Sequence, residues 1–245
     1  MEWSDEGLII GLRRHGETSV IVELMTREHG RHLGIVKGGR SRRLQPVLQQ
    51  GNSVSVVWRA RLEEHLGLYQ LEQTQSRAGW IMETGPALAG LGLLADHLRL
   101  LPERDPHGGL YAMANVIVDH LQDVRVAGAL MAHFELALLG ELGFGLDLSE
   151  CAATGATEDL IYVSPKSGRA VCAQAGEPYK ERLLKLPGFL RDDSPVLQDA
   201  SADALLDGLR LTGYFLERDI FRPRGQATSD QRQKFVDAIR SHAQL

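Results

Sequence analysis

The stretch Thr18-Ser-Val-Ile-Val-Glu-Leu24 puts Val20, Val22 and Leu24 on one side of the chain at a period of two, the spacing that predicts a half-buried β-strand. Glu6 to Leu12 (EGLIIGL) reads as its hairpin partner, joined through Arg13-Arg-His-Gly-Glu17, a connection longer than a two-residue turn. On the other side, His32 to Val36 (HLGIV), Gly51 to Trp58 (GNSVSVVW) and Leu66 to Leu71 supply three more strands, with Val54, Val56 and Trp58 aligned on one face. Five short strands in so little chain suit a small barrel, because closure leaves no edge strand open to other chains.

After Trp80 the period changes to about 3.6. Leu88, Leu91, Ala95 and Leu98 form one apolar stripe, and Leu110, Ala114, Ile117, Leu121 and Val124 form a second. A third helix is predicted from about Val126 to Leu142, ended by Gly143 and Gly145. Regular patterning weakens over 144–200, apart from a possible short strand pair at Leu160 to Ser164 and Arg169 to Ala173. Helicity returns after Ser201, an N-cap residue, and breaks at Phe221-Arg-Pro-Arg-Gly225; Thr228 and Gln231 have capping-box spacing for a last helix to about His242. The expected class is α+β with two domains: a barrel over 1–79, then a helical domain over 80–245 that contains the irregular region 144–200.

Composition is that of an ordinary globular protein, 43% hydrophobic and 24% charged. The start, Met1-Glu2-Trp3-Ser4-Asp5-Glu6, lacks the basic and apolar runs of an export signal, and no stretch of apolar residues is long enough for a membrane span. Two cysteines, Cys151 and Cys172, provide no disulfide framework and suit a reducing interior, so the cytoplasm is the expected compartment. The net charge of −5 is unevenly spread: residues 1–80 carry +2 and the remainder −7.

Catalytic motifs fail one by one. Gly90-Leu-Gly92-Leu-Leu-Ala95 fits a dinucleotide-binding pattern but sits within a helical stripe instead of following a strand. Phosphate-cradling loops, nucleophile elbows and zincin motifs are missing from the sequence. His29 and His32 fall across a turn, where solvation is the ordinary reading, and Glu158-Asp159 are chain neighbours whose side chains point apart, which suits a polar turn more than a catalytic dyad. Each cysteine stands alone, with Thr154 three residues after Cys151 and Ala175 three after Cys172, whereas a structural zinc needs two close pairs. No enzyme, metal or cofactor is expected.

The strongest remaining signal is positive charge. From His29 to Arg43 the chain holds Arg31, Lys37, Arg40, Arg42 and Arg43 and no acid. The run Lys37-Gly-Gly-Arg-Ser-Arg-Arg43 follows a strand, and its glycines allow close approach of a phosphate that its cations can neutralise. Such runs are more often solvated faces than polyanion contacts. Arg13, Arg14 and Arg27 extend the surface from neighbouring turns. Aromatic stacking platforms are few: Trp58 and Tyr69 fall where a barrel core is expected, and Trp3 is the other nearby ring.

Several segments together resemble the RecO family: Trp3-Ser-Asp-Glu-Gly-Leu-Ile-Ile10, Gly16-Glu-Thr-Ser19, Glu23-Leu-Met-Thr-Arg-Glu-His-Gly30, Val36-Lys-Gly-Gly-Arg-Ser-Arg42, Glu135-Leu-Ala-Leu-Leu-Gly-Glu-Leu-Gly-Phe144, Cys151-Ala-Ala-Thr-Gly155 and Tyr162-Val-Ser-Pro165. That resemblance implies an N-terminal five-stranded OB-fold barrel, a helical domain, and a small zinc-knuckle-like region that some members fill with metal. Here one cysteine stands where each pair would be, so the resemblance implies a metal-free version. It also implies binding to single- and double-stranded DNA, strand annealing, and contact with RecR, with the acidic C-terminal tail of single-stranded-DNA-binding protein, and with RecF and RecA, which it helps to load. The expected DNA contacts are Lys37, Arg40, Arg42 and Arg43, with Arg14, Arg27 and Arg31 beside them. Arg218, Arg222 and Arg224 are candidate rim residues for a partner peptide. An RNA-binding OB module and a protein scaffold without nucleic-acid affinity are the alternatives that the same residues leave open.

Overall fold

The computed structural model describes residues 1–191 and 200–242, so residues 192–199 of the irregular region expected over 144–200 lie outside the described residues. The chain forms two compact units, Met1–Gln122 and Asp123–Leu245.

In the first unit, five strands close into a barrel: β1 (Glu2–His15), β2 (Ser19–Thr26), β3 (Arg31–Val36), β4 (Ser53–Arg59) and β5 (Leu68–Gln75), in the order β1-β2-β3-β5-β4. The long first strand makes closure possible, since its first half pairs with β4 (Trp3 opposite Trp58) and its second half with β2 (Leu12 opposite Val22). A bulge between Ile9 and Gly11 bends it at the changeover. The alternation noted around Val22 and Val56 is that of the core, where Ile9, Val22, Leu24, Val36, Leu48, Val54, Val56, Trp58 and Tyr69 pack together. Tyr69 lies over Gly34, where a Cβ would come within 2.6 Å of its ring, so β3 tolerates no side chain at that position. Gly67 is held at φ +66°, and its lack of a Cβ leaves room for the Trp58 indole, which donates to Leu66 O at 3.0 Å.

The β1–β2 connection is shorter than the sequence suggests, because β1 runs on to His15 and carries Arg13 and Arg14 in extended backbone. The first unit also extends beyond residue 79. Helices α1 (Ala78–Ile81), α2 (Gly85–Leu98) and α3 (Gly108–Asp119) belong to it. Asn52 ties them on: its side-chain oxygen Oδ1 accepts from Arg77 N and Ala78 N at 2.8 and 3.0 Å, while its side-chain nitrogen Nδ2 donates to Pro46 O and Val47 O. Arg77, almost wholly buried, reaches Asp119 at 2.6 Å. Gly90-Leu-Gly92 lies inside α2, whose Thr84 cap accepts from Ala87 N. The stripe expected to run through Val124 divides there: α3 ends at Asp119, and Asp123 caps a new helix by accepting from Arg125 N and Val126 N.

That helix, α4 (Val124–Glu141), opens the second unit, in which it packs on α6 (Ala202–Phe215) and α7 (Asp230–His242). Between them in sequence lies a three-stranded sheet, β7-β6-β8, from β6 (Leu160–Val163), β7 (Ala170–Cys172) and β8 (Leu184–Lys185), with the single turn α5 (Ala173–Gly176) following β7. The third strand has no signal in the sequence pattern, whereas the helix expected up to the break at Phe221 does continue past α6 over Leu216–Phe221, as a π-helix. In front of α7 it is Ser229, not Thr228, whose hydroxyl accepts from a helix N–H (Gln231, 3.1 Å); Thr228 donates to Glu217 instead. Among the described residues, no helix is long and apolar enough to cross a membrane.

Candidate nucleic-acid interface

The basic stretch leaves the barrel at Val36 as a chain of tight turns over residues 37–51. Gly38 takes φ +65°, which lets Ser41 N donate back to its carbonyl at 2.9 Å. Arg40 anchors the loop to the β1–β2 turn, its amide donating to Thr18 O (3.1 Å) and its guanidinium to Glu17 O (2.6 Å). A carbonyl fixes the direction of Arg40 without cancelling its charge. Further along, Leu48 inserts into the barrel core, so the loop is pinned at both ends.

Lys37, Arg42 and Arg43 are exposed, and among the described residues none has a side-chain hydrogen bond or ion pair. The same holds for Arg13 and Arg14 on β1. Lys37, Arg43, Arg13 and Arg14, together with Arg40, line two depressions flanking the loop, while Arg42 stands on the loop outside both. One, of about 290 Å³, has Arg13, Arg14 and Arg40 around Leu12, Val20 and Leu48. The other, of about 310 Å³, has Lys37, Arg43 and Arg59 around apolar strand residues. Unpaired cations on a fixed backbone, with glycine beside them, are suited to phosphate oxygens.

The structure thus brings Lys37, Arg40, Arg42, Arg43 and Arg14 together and leaves two proposed contacts apart from them. Arg31 is only 15% exposed; it donates to Glu23 at 2.8 Å and to Leu101 O, and it faces Glu103. Arg27 pairs with Glu6 at 2.8 Å and lies over the Tyr111 ring. Arg59 was given no role by the sequence. It is signalled only by its place one residue beyond the inward-facing Trp58, and its guanidinium pairs with Glu2 at 2.8 Å.

The rings are arranged for packing more than for stacking on a ligand. Trp58 and Tyr69 are buried, and Trp3 already stacks on His29 with centroids 4.1 Å apart and planes 9° from parallel. His32, buried beneath them, bonds the Tyr69 hydroxyl at 2.9 Å; burial and then the nearby Arg104 charge push its imidazole down to about 4, so it is neutral.

In the second unit Cys151 and Cys172 are both buried free thiols. Burial pushes the Cys151 thiol up, but the N–H of Cys172 (3.3 Å from Sγ), the Thr154 hydroxyl and the N–H groups of Ala153 and Thr154 outweigh it and bring the thiol down to about 6. The Cys172 sulfur faces Thr154 Oγ1 at 3.7 Å. Among the described residues, no three His, Cys, Asp or Glu side chains converge. Of the candidate rim residues, Arg218 is committed to Asp219, to Pro165 O and to the Phe215 ring. Arg222 lies 4.0 Å from Glu217, and Arg224 is exposed.

Comparison with known proteins agrees with this layout. Residues 1–77 match the family described as Recombination protein O N terminal, and residues 86–227 match Recombination protein O C terminal. Over 242 residues, 99% of the chain and 97% of the relative, it is 58% identical to a protein of Rhodopseudomonas palustris (strain HaA2) named DNA repair protein RecO. Proteins of the same name from Methylorubrum populi (59% identity over 96% of the chain and 97% of the relative) and Mesorhizobium japonicum (55% over 99% and 95%) are similar along the same span.

Proposed function

The chain belongs to the RecO family of DNA repair proteins, and from that premise we propose that it is a non-enzymatic recombination mediator working in the cytoplasm. It binds single- and double-stranded DNA, anneals complementary single strands, and helps load RecA on DNA coated by single-stranded-DNA-binding protein. The barrel of residues 1–79 is the DNA-binding part, and residues 80–245 dock the protein partners: RecR, the acidic C-terminal tail of the single-strand-binding protein, RecF and RecA.

One observation carries this assignment. In a protein of net charge −5, Lys37, Arg42 and Arg43 stand exposed and unpaired beside Arg40 on a loop pinned to the barrel. Cations left without internal partners keep their full attraction for phosphate, and each neutralised phosphate releases counterions. Two strands whose charge is screened in this way repel each other less, which favours annealing. No bond is made or broken.

The experiment is a salt-titrated binding and strand-annealing assay with bare DNA and with DNA coated by its binding protein. Four loop contacts give a log–log slope of about −3 on single strands, from about 0.7 per phosphate. Arg40→Glu/Arg42→Glu/Arg43→Glu should abolish binding and annealing while lowering stability by no more than the one exposed Arg40–Glu17 O bond, about 1 kcal/mol. Unaltered affinity and slope in that variant would remove the loop from the DNA-binding surface. Tighter binding of an RNA oligonucleotide of equal length would redirect the assignment to RNA.

A further inference from the structure

The barrel closes unevenly. Every other seam has six or more residue pairs in register, but β3 meets β5 at one pair, Ile35 opposite Leu68, with Ile35 N donating to Gly67 O at 3.0 Å. β3 ends one residue later, at Val36, and against this short seam lies the groove of about 310 Å³, lined by the end of β3, the basic loop, β5 and β4. Its lining is apolar where the strands show through, at Val57, Leu68 and Leu71, with Leu44 closing it from the basic loop. Leu68 is 39% exposed, an apolar side chain on the outer face of β5. At the rim stand Lys37 and Arg43, whose charges nothing described neutralises.

We infer that this groove receives one unstacked nucleotide of a single strand, its base lying on Leu68 and Leu44 and its flanking phosphates on Lys37 and Arg43. Size selects the ligand: the volume is at the bottom of the range for small-molecule sites, about 300–1,000 Å³. Room for a base and its sugar is not room for a helix. Chemistry selects it too, because an apolar lining accepts the face of a base, and bases in a duplex offer only their edges. An acidic peptide would satisfy the two cations as well. The nucleotide is favoured by continuity, since Lys37 and Arg43 belong to the same loop as Arg40 and Arg42, so a strand held there by its phosphates already lies against the groove. The groove thus gives the barrel a preference for single strands without an aromatic platform. This inference rests on the DNA-binding role proposed above.

The test compares three probes on the full chain at fixed salt by fluorescence anisotropy: an oligothymidylate, an abasic deoxyribose-phosphate oligomer of the same length, and a duplex. Wild type should bind the oligothymidylate about tenfold more tightly than the abasic strand. Leu68→Asn, which adds no charge, should bring the oligothymidylate to the abasic level and leave duplex affinity within about twofold; Leu68→Ala should close part of the gap. Because Leu68 is partly exposed, both variants should melt like wild type, and Leu68→Ala serves if Leu68→Asn does not fold.

Equal binding of oligothymidylate and abasic strand by wild type would overturn the base pocket while leaving phosphate binding by the loop intact. So would a folded Leu68→Asn protein that keeps its full preference for the oligothymidylate over the abasic strand. Failure to bind any of the three probes would overturn the pocket and the DNA-binding role together.

Discussion

Arg232 grips Glu135 with two parallel hydrogen bonds, Nε to Oε1 and Nη2 to Oε2, each 3.0 Å long, and the carboxylate it holds is fully buried. The Thr212 hydroxyl bonds the same group, so one ion pair ties α4, α6 and α7 together. Truncating one member of a buried pair strands the other charge, at a cost of about 3–5 kcal/mol. Arg232→Met should therefore destabilise the second unit by roughly that amount in urea denaturation. Glu135→Leu combined with Arg232→Met should recover much of the loss, because the buried charge goes with its partner.

Arg31 and Arg42 should separate folding from binding. Arg31→Ala removes bonds to Glu23 and Leu101 O from a largely buried site and should lower stability by about 1–3 kcal/mol, with the salt slope of DNA binding unchanged. Arg42→Ala should leave stability within about 0.5 kcal/mol and reduce the slope on single strands by about 0.7. Chemical denaturation and salt-titrated anisotropy on both variants check the contrast.

His32 makes the barrel acid-sensitive. Its folded value of about 4 lies below the ordinary 6.5, so the folded protein keeps it neutral while the unfolded chain takes up a proton. The stabilisation is complete above pH 6.5 and is lost as the pH falls through 4, a span of about 3 kcal/mol. Melting curves of wild type should decline across that window, and His32→Gln should show a flatter decline from a lower starting point.

The Cys151 thiol has the opposite chemistry with the same direction of pH dependence. With its value brought down from 9 to about 6, its contribution to stability is present above pH 9 and is lost as the pH falls through 6. Ultraviolet thiolate absorption of the native protein should rise on titration through about pH 6, and Cys151→Ala should remove that step.

What could be read in advance was local. Alternation at Val20, Val22 and Leu24 and at Val54, Val56 and Trp58 arises because neighbours two apart share a face, so the strands and core of the barrel were legible from their own residues. The exposed cluster Lys37, Arg42 and Arg43 was legible for a similar reason, since no acid lies near it in the chain. The fate of Arg31 was not, because Glu23 is 8 and Leu101 is 70 positions away. Nor could alternation reveal that β3 and β5 meet at a single pair, which depends on register between strands that are distant in sequence. At α7, Thr228 and Ser229 are both competent caps, and the choice between them was made by Glu217, eleven residues earlier, drawing the Thr228 hydroxyl away.

A hoop riveted along four joints and tacked at the fifth opens at the tack. In this barrel the tack is Ile35 against Leu68, and the groove lies directly beside it. A nucleotide held as proposed would therefore rest against the joint with the fewest backbone pairs, while Leu48 fills the core from the neighbouring loop.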